Sequence, residues 1–165
     1  MATLARVDLS RELKELYRPS ARKPSIVDVP EMNFLMLDGS GDPATSQEFQ
    51  QACGALYGMS YTLKFTLKNG GRTAADVRAA AVQLRHKKNP PALAKVRFRS
   101  FAEGKAVQIM YTGPYSEEGP TIRMLHQFAA DSGFKLTGKH HEIYIGDPRR
   151  AAPEKLKTII RQPVK

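Results

Sequence analysis

The chain has no tryptophan, only one cysteine (Cys53), and no apolar run approaching the roughly 18 residues that a membrane-spanning helix requires. A single cysteine excludes an internal disulfide, so the expected compartment is a reducing one, the cytoplasm. No apolar signal-peptide core follows Met1. Acidic residues are also scarce, with 16 Asp and Glu against 26 Lys and Arg and a net charge of +10. The basic residues gather at positions 11–23 and 72–105. A nucleic-acid footprint would add aromatics interleaved for base stacking, a Cys-His finger spacing or a recognition helix, and these stretches have none. The basic surface therefore reads as solvating, and nucleic acid is not an expected partner.

What is present suits one soluble globular domain. The 165 residues are 41% hydrophobic and 25% charged, enough for a real core. Residues 1–24 read as an N-terminal arm, with Leu9, Leu13, Leu16 and Tyr17 at helical spacing before Pro19 and Pro24. Two short strands follow, Ser25–Val29 and residues 32–37. The turn cluster at 38–43 contains glycines, but no lysine follows as a phosphate loop would require. A helix is expected to start near Thr45 or Ser46, where Thr45 with Glu48 predicts a capping box. Phe49, Cys53, Leu56, Ser60 and Leu63 form its expected inner face, with Tyr57 and Tyr61 beside it and Cys53 as a small core residue. Asn69-Gly70-Gly71 breaks the chain. Thr73 with Asp76 then caps an alanine-rich helix whose last turn, Arg85-His86-Lys87, suits the negative end of the helix dipole.

From Lys95 onward the period changes to that of strands. Val96, Phe98 and Phe101 alternate with Arg97 and Arg99, and Val107, Ile109 and Tyr111 alternate with Gln108 and Met110. Ser116 is the expected N-cap of a further helix, with Glu117 and Glu118 in its first turn and Ile122, Leu125, Phe128 and Ala129 facing a core. Residues 138–161 read as two strands joined by a proline-rich turn at Asp147-Pro148. In the first of them His140, Glu142 and Tyr144 share one face, while His141, Ile143 and Ile145 take the other. Glu142 has two readings, a solvated strand residue or a covered acid that needs a partner. His140 and Glu142 converge but His141 points away, so the expected metal content is none. No Ser-His-Asp or Cys-His nucleophile constellation can be assembled, and no cofactor is expected. A weak internal repeat, strand-helix-strand-strand twice over, predicts an α+β fold with an antiparallel sheet and helices on one face.

Several motifs together carry a family resemblance. FLMLDG at 34–39 with GDP at 41–43, ALYGMSYTLK at 55–64, VQIMYTGPY at 107–115, GKHHEIYIGDPRR at 138–150 and PEKLKTIIR at 153–161 resemble the GyrI-like small-molecule-binding family. The resemblance implies two pseudo-symmetric units with a ligand cleft between them, occupying residues 25–165. It places the family's pocket carboxylate on Glu142 and aromatic cleft positions on Tyr111 and Tyr144, and the expected ligand-binding set adds Tyr57 and Tyr61. Relatives similar to this chain carry a long insert with a tandem-tryptophan motif after Lys68, which this chain replaces with Asn69-Gly70-Gly71-Arg72-Thr73. The first unit is therefore expected to be truncated by two strands, and the sheet edge this exposes predicts a homodimer. The function implied is multidrug-type binding of small apolar molecules that are cationic or polarised. The alternative is hydrolysis of reactive cyclopropane-bearing natural products, with Glu142 and Tyr111 as candidate catalytic residues. A DNA-associated regulatory module ranks third, since no helix-turn-helix segment precedes Ser25. Whether the protein is an enzyme stays open at this stage.

Overall fold

The computed structural model describes residues 8–41, 43, 45–66, 73–146 and 150–165. The break at Asn69-Gly70-Gly71, the expected shortening after Lys68, the turn at Asp147-Pro148 and part of the 38–43 cluster lie outside the described residues. The N-terminal arm consists of two single-turn helices, α1 (Leu9–Glu12) and α2 (Lys14–Tyr17). Strands β1 (Ser25–Val29) and β2 (Met32–Met36) come next, followed by the long helix α3 (Gln47–Thr66) and then α4 (Ala74–Lys87). The chain continues through β3 (Arg97–Phe101), β4 (Gly104–Thr112), α5 (Gly119–Asp131), β5 (His141–Tyr144) and β6 (Lys157–Pro163). The fold is α+β with antiparallel strand pairing throughout, as the periodicities predict.

The chain forms two compact units. The first, Met32–Phe101, pairs β2 with β3 and packs α3 on α4. Its core holds Met59, Leu63, Val77, Ala80, Leu84 and Leu93, with Leu35, Val96 and Phe98 packed against them. Helix α4 starts as predicted, with Thr73 and Asp76 exchanging both bonds of a capping box. Helix α3 starts where expected but departs from expectation in its capping partners and its buried face. Its start is bonded by Ser46, whose hydroxyl accepts from the Phe49 N–H at 3.2 Å, while Glu48 reaches Lys95 Nζ at 2.9 Å. Its buried residues are Ala52, Ala55, Met59 and Leu63, leaving Phe49 and Ser60 exposed and Cys53 and Leu56 half-buried. Small residues on that side let α4 approach closely. A Cβ added at Gly58 would sit 2.9 Å from Leu84 Cδ2.

The second unit combines residues 8–31 with Ala102–Lys165. Its sheet runs β1-β4-β6-β5. Side chains alternate across a pleated sheet, so residues directly opposite one another share a face. One face carries Val107, Ile109 and Ile160, which pack with Leu125 and Ala129 of α5 to form the core. The other face carries the row Ser25, Gln108, Arg161, His141. Alternation predicted Gln108 on a polar face, yet it is fully buried because the arm closes over that row. Gln108 Nε2 donates to the Glu15 carbonyl at 2.6 Å, and the Met110 N–H donates to the Ser20 carbonyl at 3.0 Å. Helix α5 also starts later than predicted. Ser116 lies in a single 3-10 turn, Tyr115–Glu117, and the helix begins at Gly119 with Pro120 in its first turn. Proline tolerates that position because its missing N–H has no intrahelical partner there.

Candidate functional site

Two rows of side chains on the α5 face of the second sheet hold the polar chemistry. Tyr111 of β4, Thr158 of β6 and Tyr144 of β5 stand directly opposite one another. The adjacent row is Ile109, Ile160, Glu142. Strand β5 is an edge strand, so Glu142 and Tyr144 sit at the rim of the sheet. The alternation read from the sequence holds here. Tyr144 donates its phenolic hydrogen to Glu142 Oε2 at 2.7 Å, and His140 Nε2 lies 3.3 Å from Oε1. The Glu142 side chain keeps 30% of its surface exposed, which makes it a partnered rim acid and not a covered one. The Tyr115 ring packs on Tyr144 at 4.9 Å between centroids. Burial, followed by the bond to Glu142 and that residue's charge, pushes the Tyr144 phenol well above its ordinary range, so it remains a neutral donor.

Tyr111 belongs to the same row, but its hydroxyl is committed elsewhere, donating to the Pro114 carbonyl at 3.0 Å. Gly113 makes this possible. Its φ is +148°, and a Cβ there would meet the Tyr111 hydroxyl at 2.5 Å. Burial first, then the charges of Glu117 and Glu118, raises the Tyr111 phenol.

The buried acid of this region is Glu118, expected in the first turn of a helix that starts at Ser116. It is 3% exposed and sits at the N-cap position of α5 without capping the helix with its side chain. Burial raises its carboxyl pKa above the ordinary 4.5. The nearby Thr158 hydroxyl and His140 act in the opposite sense, and the charge of Glu142 adds to the rise. Glu118 Oε1 and Thr158 Oγ1 are both buried. A sequence signal for this position existed. Extending the stripe Ile122, Leu125, Ala129 back by one helical step of four lands on Glu118.

Tyr57 and Tyr61, the other two expected ligand residues, are on α3 of the first unit, 60% and 55% exposed. Tyr61 stacks on Phe65 and, with Thr62, Gln83 and Lys87, lines an open hollow of about 430 Å³. Polar groups converge less there, since Thr62 spends its hydroxyl on the Gly58 carbonyl of its own helix. The group formed by Glu142, Tyr144, Glu118 and Thr158 is the stronger candidate, because three of them share the sheet face that α5 covers and Glu118, at the start of α5, interacts electrostatically with Glu142 and Tyr144. Among the described residues no three His, Cys, Asp or Glu side chains gather as metal ligands would.

The model of the GyrI-like small molecule binding domain matches residues 22–165. No curated protein matches the chain. Among solved structures, a hydrolase from Listeria innocua is 36% identical with a TM-score of 0.87, covering 97% of this chain and 100% of its own. An uncharacterized conserved protein from the same organism is 35% identical with a TM-score of 0.88 and the same coverage. A second Listeria innocua hydrolase is 33% identical with a TM-score of 0.87, covering 98% of this chain and 100% of its own.

Proposed function

The chain belongs to the GyrI-like family of small-molecule-binding domains, and from that premise we propose that it binds small apolar molecules bearing a positive or polarised centre, with Glu142 as the counter-charge. The observation carrying this reading is the Tyr144–Glu142 bond of 2.7 Å on the sheet rim. It orients a carboxylate that stays partly open to solvent, beside the rings of Tyr144 and Tyr115, which offer flat apolar surface to the body of a guest. Tyr111 supplies aromatic wall in this reading and not a hydrogen-bond donor. Titration of lipophilic cationic dyes into wild type and Glu142→Gln tests the proposal. The substitution keeps the shape, removes the charge and should cost about 1.5–3 kcal/mol of dye binding. Equal affinity in the two proteins would reduce Glu142 to a solvated strand residue.

Hydrolysis is the second reading, favoured by the two similar solved proteins that are hydrolases. A buried acid with a raised pKa beside a solvated carboxylate is also the pairing that general acid-base chemistry uses. Turnover of an electrophilic cyclopropane substrate, lost in Glu142→Gln while substrate binding persists, would establish it. We further propose a homodimer that covers the sheet edges left open by the strand order. A monodisperse monomer by light scattering at high concentration would overturn that part.

A further inference from the structure

Helix α4 buries Val77, Ala80 and Leu84 in the core of the first unit. Along the adjoining stripe, Ala74, Val77 and Ala81 fall at helical spacing and line a cleft of about 240 Å³ that opens to solvent. Its opposite wall is Val96 and Phe98, just before and within β3, and its floor is Met59 of the core. The space is there because two of the α4 positions are alanine, whose methyl groups stop short of that wall. Ala81, Val96 and Phe98 pack against the core, yet all three stay half-buried. One charged side chain lines the cleft, Arg78, exposed at its edge. Among the described residues it makes no hydrogen bond or ion pair. Asp76, the acid nearest to it in sequence, holds the capping box, where its Oδ2 accepts from the N–H and the hydroxyl of Thr73.

We propose that this cleft is a second binding site, for small monocarboxylates on an apolar chain or ring, with the body between α4 and the Val96–Phe98 wall and the carboxylate paired to Arg78. An apolar hollow offers water few partners, so an apolar guest replaces water there at little loss. The volume lies below the roughly 300–1,000 Å³ of drug-sized pockets, which limits the guest to the size of a short fatty acid or a phenylalkanoate. The head group follows from the single cation. A guanidinium fork matches the two oxygens of one carboxylate in a plane. A phosphate monoester carries nearly two charges at neutral pH and would leave one of them unmatched against an apolar wall. The charge preference is opposite to that of Glu142, which belongs to the second unit, so the two readings stand or fall separately.

The test titrates octanoate and octanamide, equal in length and different in charge, into the full chain by calorimetry. Wild type should bind octanoate about tenfold more tightly than the amide, the scale of one hydrogen bond to a charged group. Shortening the acid to hexanoate should weaken binding about fifteenfold, since each buried methylene contributes about fourfold. Arg78→Gln should erase the preference for the acid and leave the amide bound as in wild type. Ala81→Leu fills the space, so it should abolish binding of both probes and raise the melting temperature. Arg78 is exposed, so its variant keeps the test decisive should Ala81→Leu fail to fold. Arg85 lies on the same helix but does not line the cleft, and Arg85→Gln should leave octanoate binding unchanged. Equal loss in the two arginine variants would reduce the effect to attraction of acids by a chain of net charge +10. That result, octanoate binding that survives Ala81→Leu, or no binding by wild type overturns the proposal. The Glu142 reading is tested apart from it, because Glu142→Gln should weaken the cationic dyes and leave octanoate untouched.

Discussion

Arg161 donates from Nη2 to the carbonyl oxygen of Leu16 at 2.7 Å, joining positions 145 apart in the chain. The same guanidinium donates from Nε to Gln108 Oε1 at 2.9 Å and from Nη1 to Glu103 Oε2 at 3.3 Å. His141 Nδ1 lies 2.9 Å from the other Glu103 oxygen. Arg161 is 3% exposed, so this is a buried charge held by three hydrogen bonds, one from each of its nitrogens. Together with the bond from Gln108 to Glu15, it holds the N-terminal arm on the sheet face opposite α5.

Removing that guanidinium leaves Glu103 buried beside His141 alone. Arg161→Met keeps most of the volume and should lower stability by about 3–5 kcal/mol, the usual effect of breaking a buried ion pair from one side. Denaturant unfolding measures the loss. Hydrogen exchange should locate it, with faster exchange at the Met110 N–H that bonds to Ser20 of the arm. An unchanged midpoint and unchanged protection would show that the arm is held by something else.

Gly113 is the residue that lets the Tyr111 phenol reach the Pro114 carbonyl. Gly113→Ala puts a Cβ where that hydroxyl now lies, on a backbone conformation that disfavours side chains. The expected cost is about 1–3 kcal/mol, with displacement of Tyr111. Thermal melting reads the first effect, and the environment of the tyrosine ring in NMR reads the second. Tyr111→Phe should cost less than Gly113→Ala, since it removes one bond without strain.

The raised pKa of Glu118 gives stability a definite slope with pH. A glutamate whose folded pKa lies above the ordinary 4.5 binds more protons folded than unfolded in the window between the two values. Stability is therefore lost as pH rises from 4.5 through that window and levels off above the folded pKa. Glu118→Gln cannot ionise and should melt with a shallower dependence on pH, at a temperature equal to or above wild type near neutrality. A parallel pair of melting curves across that range would show that Glu118 does not titrate differently in the folded protein.

With a net charge of +10, some attraction to DNA is unavoidable at low salt. Basic side chains are already engaged in part, as Lys95 is with Glu48 and Arg97 with Asp38. Random-sequence DNA should bind weakly in fluorescence anisotropy, and the binding should vanish at physiological salt. Binding that resists salt or selects sequence would make this surface a nucleic-acid interface.

The sequence by itself determined whatever depends on neighbours a few positions away. The Thr73–Asp76 capping box, the two-faced strand holding Glu142 and Tyr144, and the apolar stripe of α5 were legible because period and capping are local properties. Tertiary structure alone decided which polar residues became buried. Glu118 is an ordinary first-turn acid until Thr158, 40 positions later, is placed beside it. Gln108 reads as the polar face of its strand until the arm covers it together with Arg161. The inner side of α3 turned toward Ala55 and Met59, and not toward Phe49 and Ser60, because Leu84 of α4 fits against Gly58. Burial depends on contacts between distant parts of the chain, and periodicity within one element carries no record of what will pack against it.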